Sequence, residues 1–143
     1  MKILHISYHT SPFSKQLGNN DAGGLNVYIK NVIENLNDED IQVTVLTGEK
    51  SESLEENNLK FSSYSLFQET ASIDKKILLL PEFIELIMEF VKVNQIDLIH
   101  AHYWLSGLVA KEIKSKFGIP FMTATNQGST SGCQSCQIYH RRF

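Results

Sequence analysis

Asp97-Leu98-Ile99-His100-Ala101-His102-Tyr103-Trp104-Leu105-Ser106-Gly107 starts as a short apolar run and finishes as the opening turn of an amphipathic segment. The run from Ile96 to His100 reads as a strand. After it, Leu105, Leu108, Val109, Ile113 and Phe117 recur at helical spacing, and Gly118-Ile119-Pro120 stops that helix before a further strand, Phe121–Thr123. Strand, helix and strand in close succession predict one crossover of a parallel sheet.

The same alternation extends towards the N-terminus. Pro81 suits the first turn of a helix, and Phe83, Ile84, Ile87, Met88 and Val91 mark its apolar face as far as Asn94. Leu59–Leu66 reads as a short edge strand, and the charged stretch 49–58 as a surface loop. Ile41 to Thr47 alternates β-branched and apolar residues before Gly48, giving another strand. Leu25, Ile29, Val32 and Leu36 define a helix from Gly24 to near Asn37, and residues 2–8 form the first strand. The order β, α, β, β, α, β, α, β predicts an α/β chain with a doubly wound, Rossmann-like, mostly parallel sheet. Ligands of such sheets bind beyond the carboxyl ends of the strands, so functional residues are expected just after residues 8, 47, 100 and 123.

Composition agrees with one folded unit. The 143 residues are 42% apolar and 20% charged, and a domain of this length buries roughly 70% of its unfolded surface without disulfides or metal. The net charge of −3 offers no basic field for nucleic acid or anionic lipid. No apolar run approaches the ~20 residues of a bilayer span, so the expected address is the cytoplasm. Both cysteines, Cys133 and Cys136, share the last few residues with both arginines, Arg141 and Arg142. Periodicity fails from about Gln127, and residues 127–143 are read as an irregular tail appended to a domain of residues 1–126. Cys133-x-x-Cys136 with His140 is weak evidence for zinc outside a recognisable scaffold.

Two strand ends carry the candidate chemistry. The loop after the first strand is long for such a connection and closes on Asp21-Ala22-Gly23-Gly24 at a helix start. Its free N–H groups and helix dipole can receive an oxygen-rich or anionic ligand; the glycines equally suit a plain turn. Asp21 beside a phosphate would repel it by about 4 kcal/mol at 4 Å and an effective dielectric of 20, so it reads as an N-cap or as acceptor for a substrate hydroxyl. The Gly-x-Gly-x-x-Gly turn of a nicotinamide site is missing. At the second end, His100 and His102 stand two residues apart on a strand and point to one side. With no third ligand near them in the sequence, metal ranks below hydrogen bonding. One buried and one cleft histidine is the expectation, His102 being the cleft residue and Tyr103 or Trp104 packing on a sugar ring or the core. His5, inside the first strand, reads as a core histidine.

Met1–Ser7, the loop ending Asp21-Ala22-Gly23-Gly24-Leu25-Asn26-Val27-Tyr28, and Asp97 through Gly107 together resemble the N-terminal domain of family 4 glycosyltransferases, in the branch of sucrose-phosphate synthases and D-inositol-3-phosphate glycosyltransferases. The resemblance covers about residues 1–126. It implies one half of a GT-B fold, the acceptor-side half of an enzyme that moves a sugar from a nucleotide-sugar donor to a sugar or sugar-phosphate acceptor hydroxyl with retention. It implies no metal and no cofactor beyond that co-substrate. Carried over by position, Gly23 and Gly24 approach the donor diphosphate or transferred sugar, and Asp21 and Asn26 belong to the acceptor side. His102 contacts the transferred sugar, Tyr103 lines the site, and Thr123 lies at the next strand end. Where the family has a Thr-x-His segment, this chain reads Thr123-Ala124-Thr125. The donor-binding C-terminal domain is not in the chain, so the resemblance implies a truncated or split transferase with little activity alone. A non-catalytic sugar- or phosphate-binding module is the alternative. The missing half, or a separate chain supplying it, is the expected partner, and the uncovered strand ends favour self-association.

Overall fold

The computed structural model describes residues 1–13, 25–36, 40–124 and 136–139. Its elements are β1 (Lys2–Ile6), α1 (Leu25–Asn35), β2 (Gln42–Glu49), β3 (Leu54–Glu56), β4 (Leu59–Phe67), α2 (Ile73–Val93), β5 (Leu98–His102), α3 (Tyr103–Phe117), β6 (Phe121–Ala124) and β7 (Cys136–Tyr139). The strands form one sheet in the order β3-β4-β2-β1-β5-β6-β7. The five inner strands are parallel, and β3 and β7 close the two edges antiparallel. Chain order runs outward from β1 through β2 and β4 on one side, and through β5 and β6 on the other. The reversal therefore falls between β1 and β5, where such sheets bind their ligands.

Alternation along the strands divides the core into two layers. Leu4, Ile6, Leu46, Ile99, Ala101 and Phe121 face α2 and α3, meeting Phe83, Ile87, Leu105, Val109 and Ile113. On the opposite face Ile29 and Ile33 of α1 cover Val43, Val45 and Phe61. Each fully buried side chain of this size contributes about 1.5–3 kcal/mol. Gly118 ends α3 at φ 72°, its N–H bonding Lys114 O at 2.8 Å, the left-handed cap expected of Gly-Ile-Pro.

Three elements differ from the sequence reading. α2 begins at Ile73, not Pro81, which lies inside it. Ser72 caps the earlier start by accepting from the Lys75 N–H at 3.3 Å. An interior proline costs ~3 kcal/mol, less than the burial of Leu80, Phe83, Ile87, Met88 and Val91 on one continuous face returns. Second, the supposed loop 49–58 contains β3, a hairpin arm joined to β4 through Asn57-Asn58 with Asn57 at φ 51°. β4 is consequently an interior strand, parallel to β2 rather than at the edge. Third, within residues 127–143, read as irregular, Cys136–Tyr139 pairs with β6. The open N–H and C=O row of an edge strand is a template for such pairing. Among the described residues no helix is long and apolar enough to cross a membrane.

Candidate functional site

The parallel register of β1 and β5 sets His5 directly beside His100, and period two puts His102 on the same face. Three imidazoles thus meet at the sheet's reversal point, with ring centroids 4.2 Å apart for His100–His102, 4.9 Å for His5–His100 and 5.2 Å for His5–His102. His5 Nδ1 and His102 Nε2 share a hydrogen bond of 2.9 Å. Whichever ring donates, one buried N–H and one buried lone pair remain on the far sides of the pair. Nε2 of His5, Nε2 of His100 and Nδ1 of His102 are all buried without a hydrogen-bond partner.

Burial pushes the His5 imidazole down to about 3, with His100 adding to the effect, and burial alone pushes His100 down to about 4. His102 is held well below the ordinary range, first by burial and then by its two neighbours. All three rings are neutral at pH 7. The expectation of one buried and one cleft histidine is corrected here: His100 is 6% exposed and His102 0%. β5 is flanked by β1 and β6, and Tyr28 of α1 stands edge-on over His102 at 6.2 Å, so both rings are enclosed.

Beyond this cluster the chain leaving β1 is pinned from three directions. Tyr8 N–H donates to Ser106 Oγ of α3 at 3.0 Å, and Tyr8 OH donates to Lys76 O of α2. Lys76 Nζ donates to His9 O at 2.9 Å, and Ser11 N–H to Glu49 Oε1 of β2 at 3.3 Å. Burial raises the Glu49 carboxyl above its usual range, opposed by the Ser11 N–H and by Lys76. His9 is pushed down to about 4, mainly by burial and further by Lys76. Its ring stacks on Tyr103 at 4.1 Å and 24°. Tyr103 opens α3 at φ 73°, a left-handed conformation that costs an aromatic residue about 1–3 kcal/mol and is typical of sites shaped for a ligand. A hollow of about 540 Å³ lies at the exits of β2 and β4, bordered by Phe13, Glu49, Ser51, Glu52, Ser65 and Gln68. Another, about 260 Å³, lies at the amino ends of the strands around Lys2, Gln42 and Asn94, away from this chemistry.

Of the residues expected at the site, His102 and Tyr103 lie together at the β5–α3 junction. Thr123 belongs to the next strand but occupies the face turned to α3, where a methyl on Gly107 would come within 3.3 Å of its Cγ2. Asn26 lies in the first turn of α1. Asp21, Gly23 and Gly24 lie outside the described residues. His5, His9, Glu49, Lys76 and Ser106 were not anticipated as parts of one site. One signal for Lys76 was available: it precedes Leu80, Phe83 and Ile87 on the apolar stripe, and a lysine there is buried with its charge directed to a partner. His5, His100 and His102 each offer a ring nitrogen, all within 4.8 Å of one another, so the third metal-capable group missing from the sequence neighbourhood is supplied by β1.

Known proteins place this arrangement. The profile of Glycosyltransferase Family 4 matches residues 22–130. A D-inositol 3-phosphate glycosyltransferase of Corynebacterium jeikeium is 34% identical over 134 residues, and one of Pseudarthrobacter chlorophenolicus 32% over 130; each alignment takes in 85% of this chain and 31% of the relative. The structure of a sucrose-phosphate synthase from Thermosynechococcus elongatus superposes with a TM-score of 0.77 at 24% identity, over 88% of this chain and 33% of the synthase. The chain spans about a third of the length of these relatives. With a profile match over most of its residues and the same doubly wound sheet beneath it, the chain belongs to glycosyltransferase family 4.

Proposed function

We propose that this chain is the N-terminal, acceptor-side half of a GT-B glycosyltransferase that moves a sugar from a nucleotide-sugar donor to a sugar or sugar-phosphate hydroxyl with retention. The observation that carries the reading is the meeting of β1 and β5 at the sheet's reversal point, within a family match spanning residues 22–130. In this reading Gly23 and Gly24 present backbone N–H groups to the donor, and Asp21 and Asn26 serve the acceptor. Tyr103 lines the sugar site, and Thr123 supports the neighbouring strand end. His102 is buried, so its part is to position Tyr103 rather than to touch the sugar. Retaining transfer of this type uses the leaving phosphate to take the acceptor proton, so the protein's contribution is stabilisation of charge by preorganised donors. Thr125 stands where the resemblance expects a histidine, so an imidazole donor is exchanged for a hydroxyl.

Half a cleft leaves the diphosphate in water, where each charged contact is worth much less than in an enclosed site. The chain alone is therefore expected to bind donor weakly and to transfer little; calorimetry giving submicromolar affinity for a uridine or guanosine diphosphate sugar contradicts this. The decisive experiment mixes the 143-residue chain with the C-terminal domain of a family 4 relative. A panel of nucleotide sugars and sugar phosphates is then assayed, and the product anomer is read by NMR. Transfer only in the mixture, with retention, is the expected result. A folded mixture that binds acceptor but transfers nothing would favour the non-catalytic module.

A further inference from the structure

We propose that His5, His100 and His102 form a three-imidazole site for a divalent cation of the zinc class, tying β1 to β5 beneath α1 and leaving a fourth position to water. The cluster has the donor set of a known class of zinc site, three neutral imidazoles on rigid strands. Its geometry is close to that required. Zinc–nitrogen bonds of about 2.0–2.1 Å in a tetrahedron separate ligand nitrogens by about 3.3 Å. The 2.9 Å His5–His102 contact and the 4.8 Å limit on all three nitrogens bracket that value, so ring rotations suffice.

The rings are poorly satisfied as they stand: Nε2 of His100 and the far-side nitrogens Nε2 of His5 and Nδ1 of His102 are buried without a partner, and an unmatched buried polar group costs about 1–3 kcal/mol. Only one internal hydrogen bond offsets this among the three rings. Three neutral imidazoles hold three protons over six nitrogens, which leaves three lone pairs. A cation held by His5 Nδ1, His102 Nε2 and one nitrogen of His100 takes one lone pair from each ring in place of the single His5–His102 hydrogen bond, and each ring keeps its N–H on the far side. The site rests on the reading above only through His102, the residue that positions Tyr103. It adds a cross-link at the sheet's reversal point and takes no part in the transfer step.

The test uses the full 143-residue chain stripped with EDTA and titrated with Zn²⁺, with Co²⁺ as a spectroscopic probe. One equivalent is expected, with intense four-coordinate cobalt bands free of thiolate charge transfer. H5Q, H100Q and H102Q should each weaken Zn²⁺ binding by at least about tenfold, and the C133S/C136S double variant should leave it unchanged. A thiolate band or loss of binding in C133S/C136S would assign the metal to the Cys133-x-x-Cys136 segment and overturn the proposal. Absence of stoichiometric binding would do the same. If a histidine variant fails to fold, imidazole ¹⁵N shifts of the wild-type chain decide: three rings must move on adding Zn²⁺, and fewer than three would refute the site.

Discussion

The two faces of β1 and β5 are built from alternate residues of the same short strands, yet they carry opposite contents. Leu4, Ile6, Ile99 and Ala101 meet α2 and α3 in an apolar layer, whereas His5, His100 and His102, one position away in each case, form a buried polar cluster on the α1 side. The first layer holds the sheet together by removing apolar surface from water. The second places three desolvated imidazoles where the strand order reverses. Buried polar groups short of partners weaken a fold, so the α2/α3 layer carries the stability that permits the other face to be polar.

Several measurements would break or sharpen this contrast. The largest effect is expected on the apolar side: Phe83→Ala removes a fully buried ring of α2 and should cost about 3–5 kcal/mol in urea unfolding. A loss below about 1 kcal/mol would mean that the α2 layer does not carry the fold.

Next in size is the acid response of the polar side. Unfolded imidazoles titrate near 6.5, whereas His5, His9 and His100 are pushed down to about 3–4 in the folded chain. Between those values the unfolded state binds more protons. Metal-free protein should therefore hold its full stability above about pH 6.5 and lose it progressively as pH falls towards 4. Urea midpoints measured across this range, in EDTA, check the slope, and His9→Gln should make it shallower. A flat profile would mean that the rings are hydrated.

A smaller change is expected from the double substitution His5→Leu with His102→Leu. It removes both partners of one hydrogen bond together with two unmatched nitrogens, so metal-free stability should move by less than about 1.5 kcal/mol, in contrast to Phe83→Ala. Smallest of all is Tyr103→Gly. It relieves the left-handed φ but forfeits the stack on His9, and thermal unfolding should register a net shift within about 1 kcal/mol. In the reconstituted transferase the same variant should lose most of its transfer, because the ring that lines the sugar site is gone.

The strand-to-helix passage at residues 97–117, the left-handed stop at Gly118 and the α1 stripe of Ile29 and Ile33 were all legible from spacing and cap residues, since each depends on neighbours within a turn or two. Pro81 misled because its local preference for a helix start yields to the long apolar face on either side of it. The hairpin at Asn57-Asn58 was hidden in a charged stretch whose three strand residues are all exposed and so carry no burial pattern. His5 looked like an isolated core residue, because nothing near it in the chain announces His100.

The amino-acid sequence by itself determined the class of fold and the histidines, tyrosine and glycines available to it, because periodicity and capping act over a few residues. The tertiary structure alone decided that His5 lies beside His100, that His102 is sealed under Tyr28, and that Lys76 and Glu49 meet the first loop. Those contacts depend on strand order and register across nearly a hundred positions of chain. A slip of one residue in the β1–β5 pairing would turn every imidazole of β1 or β5 to the opposite face.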